Sequence, residues 1–333
     1  MAEKMTQTGS RLRAFGPTGM MLSPLGLGCW QFSRGQGMIG GFWNAIDDEA
    51  SKEIVRVSLE GGINWFDTAE IYGRGESEQA LDEALTAAGD LARGSHIATK
   101  WWPAMRTAAN IPQTIAERQR RLGGRRIDLY MVHQPWSLSP VASEMRQMAK
   151  LVERGMIANV GVSNFSAKQM RESDRVLRTF GLRLASNQVK YNLLDRRIEK
   201  NGILETAQEL GCAIIAYSPL EQGLLSGKFH RQPALANQVK GLRRMMNSLG
   251  PAALAQSAPL IEALERIGAA YGGSATQAAL NWLIHARGDT VFAIPGASKA
   301  KHAEENVRAM TFRLAADELA ELEELSLRAG AKV

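Results

Sequence analysis

The chain has two cysteines in 333 residues, Cys29 and Cys212. Two thiols so far apart build no disulfide framework and match no zinc-ligand spacing, so they fit a reducing compartment. No apolar run approaches the roughly 18 residues that a membrane helix needs. The opening Met1-Ala2-Glu3-Lys4 lacks a charged-then-apolar leader pattern, so a cytoplasmic chain without a membrane partner is expected. Low-complexity segments and interdomain linkers are also missing, which predicts one domain over residues 1–333. With 45% hydrophobic and 22% charged residues, a disordered chain is excluded. The net charge of +6 is spread thinly, with small clusters at Arg118-Gln119-Arg120-Arg121, Arg125-Arg126 and Arg243-Arg244. No basic stripe accompanies a base-reading motif, so no nucleic-acid partner is expected. A positive field of this kind suits an anionic cofactor or substrate.

What is present is alternation. Apolar runs expected to be strands lie at Leu25–Cys29, Ile63–Phe66, His96–Thr99, Ile127–Val132, Ile157–Val162, Leu184–Gln188, Ala213–Ala216 and Val291–Ile294. Between and after them, helical periodicity marks 48–60, 77–88, 112–122, 141–153, 167–179, 198–210, 260–270, 275–286, 301–308 and 316–327. Continuous apolar strands alternating with helices argue a parallel sheet buried on both faces. Eight such units favour a closed (β/α)8 barrel. Residues 11–22 read as a β-hairpin capping its bottom, and the last helix is an extra one. The glycine-rich stretch 35–43, with Phe42 and Trp43, reads as a mobile lid. Residues 229–258 read as irregular, with Met245-Met246 as an adaptable cover.

In such a barrel the active site lies at the strand C-termini. The polar residues there are Trp30 and Gln31, Asp67 and Tyr72, Lys100, His133, Ser163-Asn164, Gln188, Tyr217-Ser218 and Gly296-Ala297-Ser298-Lys299. Too few histidines and carboxylates converge for a metal-dependent barrel hydrolase, so no metal is expected. Gly26-Leu27-Gly28-Cys29 lacks the third glycine of a Gly-x-Gly-x-x-Gly turn, which argues against a Rossmann site.

These motifs resemble the aldo-keto reductase family over about residues 12–327. The resemblance is carried by Asp67-Thr68-Ala69-Glu70-Ile71-Tyr72-Gly73, Ile97-Ala98-Thr99-Lys100 and Asp128-Leu129-Tyr130-Met131-Val132-His133. Gly161-Val162-Ser163-Asn164-Phe165, Ala216-Tyr217-Ser218-Pro219-Leu220, Ile294-Pro295-Gly296 and Glu304-Glu305-Asn306 extend it in the same order. It implies NADPH-dependent reduction of aldehydes or ketones, with the dinucleotide extended across the barrel mouth. Reduction needs a hydride on carbon and a proton on oxygen. Tyr72 is expected to be the general acid, with Lys100 lowering its pKa and Asp67 holding Lys100. His133 is expected to orient the carbonyl.

On the cofactor side, Ser163, Asn164 and Gln188 suit the carboxamide, and Tyr217 offers a ring for stacking. Leu220 to Lys228, with Gly223 and Gly227, suits the pyrophosphate. Ser298 and Lys299 suit a 2′-phosphate, with His302 where many members carry Arg. Glu305 and Asn306 stand where the family contacts adenine. Gly28, Trp30, Asp67, Ser218 and Gly296 complete the expected cofactor set. The substrate set is Tyr72, Trp30, Trp101, His133 and Trp136, an aromatic rim suited to an apolar or aromatic carbonyl compound. Trp102 lies on the same loops. The partner is thus a small carbonyl molecule, and the chain a monomer or weak homo-oligomer. The alternative is a cofactor-holding regulatory subunit, resembling the potassium-channel accessory subunits of the same barrel.

Overall fold

The computed structural model describes residues 12–37, 45–239 and 249–333. The stretch from Met38 through Phe42 and Trp43, the Met245-Met246 pair and the Arg243-Arg244 pair lie outside the described residues.

The described residues begin below the barrel. Strand β1 (Arg13–Ala14) pairs antiparallel with β2 (Met21–Leu22), and Gly19 closes the turn at φ 74°. Phe15 is fully buried against Trp65 and Phe292, with ring centroids 6.0 and 5.0 Å away. The expected hairpin therefore plugs the barrel floor, and the Arg13 guanidinium pins it by donating to Ile284 O at 2.6 Å.

Eight strands form the barrel: β3 (Leu27–Gly28), β4 (Trp65–Asp67), β5 (His96–Trp101), β6 (Leu129–Val132), β7 (Asn159–Ser163), β8 (Leu184–Lys190), β9 (Ala213–Tyr217) and β10 (Val291–Ala293). Each pairs in parallel with its neighbour in sequence. Parallel bridges Leu25–Ala293 and Gly28–Gly296 close the ring. Gly28 marks that seam: its N–H donates to Pro295 O at 3.1 Å, and an added Cβ would stand 2.8 Å from Ile294 O.

Strand alternation sorts the side chains into two cores. Trp65, Ala98, Leu129, Met131, Ile215 and Phe292 fill the barrel interior. Phe66, Ile97, Tyr130, Val132 and Ile214 face outward into the layer shared with the helices.

The surrounding helices are α1 (Asp48–Glu60), α2 (Glu76–Ala88), α3 (Ile111–Arg121), α4 (Val141–Glu153), α5 (Ala167–Arg178), α6 (Ile203–Leu210), α7 (Lys228–Arg231), α8 (Ala234–Gln238), α9 (Pro251–Ala270), α10 (Ala275–His285), α11 (Ala300–Arg308) and α12 (Ala316–Arg328). Local chemistry sets their ends: Asp47 caps α1 by accepting from Ala50 N, and Ser166 with Gln169 forms a capping box on α5.

Two expectations needed correction. Residues 198–210 are not one helix, because Gly202 at φ 81° separates a 3-10 turn from α6. The supposedly irregular stretch contains α7, α8 and the first turns of α9. There Pro251 sits at the helix start, and an alanine-rich run carries the helix through Pro259. Among the described residues, no helix is long and apolar enough to cross a membrane.

Candidate active site

Strands β4, β5 and β6 deliver Asp67, Lys100 and His133 to the same mouth of the barrel. On β5, Ala98 and Lys100 face inward while Thr99 and Trp101 face outward, as a strand requires. Lys100 and Asp67 are 0% and 1% exposed, so neither charge has water to rely on. The Lys100 ammonium donates to Asp67 Oδ1 at 2.6 Å and to Thr68 O at 2.8 Å. Gln188 Nε2 donates to Asp67 Oδ2 at 2.8 Å, so both carboxylate oxygens are bonded. Burial pushes the Lys100 pKa down, and the Asp67 charge opposes that shift.

Tyr72 starts a tight turn in which Gly73 and Arg74 both have positive φ, 65° and 59°. Its ring lies 5.0 Å below the Lys100 Nζ, stacks on Trp30 at 5.8 Å and meets the edge of His133 at 5.7 Å. The expectation that Lys100 makes this phenol more acidic is not met. Desolvation, with Asp67 adding to it, pushes the Tyr72 hydroxyl well above its ordinary pKa. The physical reason is that Lys100 and Asp67 form a locally neutral pair, while desolvation favours the uncharged phenol. Burial and the Lys100 charge likewise push His133 well below its ordinary value, leaving a neutral imidazole. His133 Nδ1 is buried and has no hydrogen-bond partner among the described residues.

Trp101 does not line the mouth. It is fully buried in the outer layer, where its indole N–H donates to Asn110 Oδ1 at 3.0 Å. The next residue takes the place expected of it: Trp102 packs edge-on against His133 at 5.3 Å and against Trp136 at 6.0 Å. Trp30 and Trp136 do reach the mouth.

The residues expected to face a dinucleotide form three groups. First, Ser163 Oγ donates to Gln188 O at 2.9 Å, Asn164 Nδ2 donates to Ser163 Oγ at 3.1 Å, and the Tyr217 hydroxyl donates to Asn164 Oδ1 at 3.1 Å. Asn164 holds a positive φ of 60°, so it turns the chain rather than simply capping α5, whose cap is Ser166. Second, the segment after β9 is strongly bent: Ser218, Glu221 and Gln222 all have positive φ, as do Gly223 and Gly227. It is braced from beneath by Asn192, which donates to Ser218 O at 2.9 Å and to Glu221 Oε2 at 2.7 Å. A Cβ on Gly223 would stand 2.7 Å from Lys228 Nζ, so the glycine leaves room for that ammonium. Leu220 packs against the outer core. Third, Ser298 Oγ lies 3.3 Å from His302 Nδ1 at the start of α11, and His302 feels the charge of Glu305 and, against it, of Lys228, Lys299 and Lys301. Further along α11, Asn306 is 2% exposed and its Nδ2 has no partner among the described residues, while Glu305 is half-buried. A buried amide donor without an acceptor costs about 1–3 kcal/mol unless a ligand satisfies it. These features fit a nicotinamide dinucleotide. Gly28 and Gly296 are accounted for by the barrel seam and by Gln31, whose side chain a Cβ on Gly296 would strike.

Glu70 escaped the sequence reading as a site residue. It lies two positions before Tyr72, and its carboxylate accepts from Trp102 N at 3.0 Å and from Arg106 at 2.6 Å. Its only signal in the sequence was its place inside the Asp67–Gly73 motif.

The comparisons with known proteins agree with this geometry. The model of the Aldo/keto reductase family matches residues 24–327. An uncharacterised oxidoreductase of Mycobacterium tuberculosis is 36% identical over 299 residues, covering 89% of this chain and 86% of its own. The chloroplastic pyridoxal reductase of Arabidopsis thaliana is 30% identical over 318 residues, covering 91% and 83%. Among solved structures, the glycerol dehydrogenase of Gluconobacter oxydans superposes with a TM-score of 0.82 at 26% identity, covering 98% of each chain. A thermostable aldo-keto reductase in complex with the inhibitor epalrestat gives a TM-score of 0.74 at 28% identity, covering 94% of this chain and 99% of that one. Strand ends, barrel closure and family match lead to one conclusion: the chain belongs to the aldo/keto reductase family and is an oxidoreductase of carbonyl chemistry.

Proposed function

We propose that the chain reduces aldehydes or ketones to alcohols with NADPH, and that Tyr72 donates the proton. The observation that carries this reading is the geometry at the mouth of the barrel: the Tyr72 ring meets His133 at 5.7 Å and lies 5.0 Å from the Lys100 ammonium, which is paired with Asp67 at 2.6 Å. A phenol held protonated is the form that an acid must have before it acts. His133 can donate to the same carbonyl oxygen and fix its direction toward the Tyr72 hydroxyl. As negative charge develops on that oxygen, the Lys100 ammonium, 5.0 Å from the centre of the Tyr72 ring, contributes only what its pairing with Asp67 leaves over. Asp67 and Thr68 O keep that ammonium pointed and charged.

Ser163, Asn164, Gln188 and Tyr217 would hold the nicotinamide end. The bent segment from Ser218 to Lys228 would hold the pyrophosphate, and Ser298, Lys299, His302, Glu305 and Asn306 the adenosine end. A dihydronicotinamide held there would supply the hydride. The lysines around His302 favour a 2′-phosphate, hence NADPH over NADH.

The test is NADPH consumption with a reactive aromatic aldehyde such as a nitrobenzaldehyde, in the wild type and in Tyr72→Phe. The variant should lose reduction by about a hundredfold to ten-thousandfold, the usual worth of a positioned acid, while the cofactor dissociation constant stays within about twofold. Tight cofactor binding without turnover across a broad carbonyl panel would refute the enzymatic reading.

A further inference from the structure

Tyr72 hangs on a turn that does not hold its own shape. After it, Gly73, Arg74 and Gly75 take φ of 65°, 59° and 93°, three left-handed residues in succession. Arg74 keeps that conformation only where its surroundings over-determine it. Gly75 is also the N-cap of α2 and has no side chain with which to fix the first helical turn. A Cβ on Gly73 would stand 2.5 Å from Ser33 O, so the turn is pressed against the loop after β3. What fixes the Tyr72 hydroxyl must therefore come from the helix that follows.

Two consecutive residues at the start of α2, Ser77 and Glu78, are polar and fully buried. Ser77 Oγ donates to Cys29 O at 2.6 Å and lies 2.8 Å from Thr68 Oγ1. A serine hydroxyl has one proton to give. Here it goes to Cys29 O, so Thr68 donates to Ser77 and the bonds run in one direction, from Thr68 through Ser77 to Cys29. Both ends lead to the site. Cys29 precedes Trp30, which stacks on Tyr72, and Thr68 O accepts from the Lys100 ammonium. Cys29 N donates to Asp67 O at 2.8 Å, which closes the group. Glu78 reaches a different strand. Its Oε1 accepts from Thr99 Oγ1 at 2.6 Å, and its Oε2 pairs with Arg118 at 3.0 Å. Thr99 adjoins Lys100 on β5. Consecutive helical residues project about 100° apart, so the two anchors hold the helix start against both sliding and rotation.

We infer that Ser77 and Glu78 are positioning residues for the general acid: by docking the start of α2 on β3, β4 and β5 they fix the Tyr72 hydroxyl relative to Trp30 and Lys100. This rests on the reading of Tyr72 as the acid of a carbonyl reductase. Both side chains are fully buried and act through the placement of Tyr72, not on the substrate.

The experiment is a double-mutant cycle read in kcat, with a nitrobenzaldehyde as substrate and high enzyme concentrations for the slow variants. Ser77→Ala should lower kcat about tenfold to a hundredfold, the usual cost of a reacting group displaced by about 1 Å. KM and the NADPH dissociation constant should stay within about twofold, as for an interaction made only in the transition state. In the Tyr72→Phe background the same substitution should change kcat less than about twofold, because no acid is left to misplace. Thr99→Val, which takes away the hydroxyl that Glu78 holds, should behave alike in both backgrounds. Melting temperature separates stability from placement. Ser77→Ala leaves the buried Thr68 hydroxyl without its acceptor and lowers Tm. Ser77→Ala/Thr68→Val removes that orphan, so Tm should recover while kcat does not. The double variant lacks the same anchor and carries the cycle if Ser77→Ala does not fold. An unchanged kcat, an equal fold loss in the Tyr72→Phe background, or a kcat that recovers with Tm overturns the role of Ser77. An equal fold loss for Thr99→Val in both backgrounds removes Glu78 alone. A wild type without turnover, or a Tyr72→Phe protein as active as wild type, refutes the carbonyl-reductase reading or its acid, and the inference with it.

Discussion

Removing Lys100 should damage the fold as well as the chemistry, and the amount can be worked out. In Lys100→Met the Asp67 carboxylate remains 1% exposed but loses its ammonium at 2.6 Å, keeping only Gln188 as a donor. Leaving one charge of a buried pair without its partner costs about 3–5 kcal/mol. The unfolding entropy near the midpoint is about 2.1 cal/mol/K per residue. Over 333 residues that amounts to roughly 0.7 kcal/mol/K, so a loss of about 4 kcal/mol lowers Tm by about 6 °C. Asp67→Asn/Lys100→Met removes both charges and should recover at least about half of that loss, so the coupling is at least about 2 kcal/mol and grows by whatever Asp67→Asn alone costs. Differential scanning calorimetry of the wild type, the two single variants and the double variant gives the cycle directly.

The sign of the pH dependence follows from the same burial. Desolvation already holds the Asp67 carboxyl above its ordinary pKa with Lys100 in place. Without Lys100 the folded chain binds that proton still more tightly than the unfolded chain does. The Lys100→Met protein should therefore come closer to wild-type stability in acid and fall away as pH rises through the folded pKa of Asp67. If the two single losses simply add in the double variant, or if the Lys100→Met deficit is the same in acid and at neutrality, the ion pair does not hold the mouth together as argued.

Three further outcomes are expected. Glu144 is 2% exposed on α4, and burial raises its carboxyl from 4.5 to about 7. Its contribution to stability is thus fully present below about pH 4.5 and is lost as pH rises through about 7. Glu144→Gln should gain up to about 3 kcal/mol over wild type at pH 8 relative to pH 4.5, read by urea unfolding; equal curves at both pH values would refute it. Gly28→Ala places a Cβ 2.8 Å from Ile294 O at the barrel seam and should cost about 1–3 kcal/mol in the same assay. Lys299→Ala should weaken NADP(H) about tenfold, roughly 1.4 kcal/mol, in a fluorescence titration while leaving NAD(H) nearly unchanged. Tighter binding of NAD(H) than NADP(H), unaltered by that substitution, would remove the 2′-phosphate from the cofactor proposal.

The order of elements could be read from the chain because each is defined by local rules. Asp48–Glu60 and Val141–Glu153 have the expected bounds, since capping, helical period and stop signals all lie within a dozen residues. The placing of Asp67, Tyr72, Lys100 and His133 at one mouth followed from counting strand ends, since parallel strands with helical crossovers carry all their C-termini to the same side. The sequence alone could not decide which way a residue at a strand end faces. Trp101 and Trp102 are equal candidates in a list of letters. Only the pleat of β5, fixed by its pairing with β4 and β6, turns one into the outer core and the other toward His133. The protonation of Tyr72 was likewise out of reach, because a pKa depends on what surrounds the group in three dimensions. Sequence supplied the lysine, but the fold gave its charge to Asp67 and left the phenol half-buried between Trp30 and His133. Glu70 shows the same limit. Its tie to Trp102 and Arg106 spans more than thirty positions, 32 and 36 residues in the chain, and exists only because β4 and β5 lie side by side.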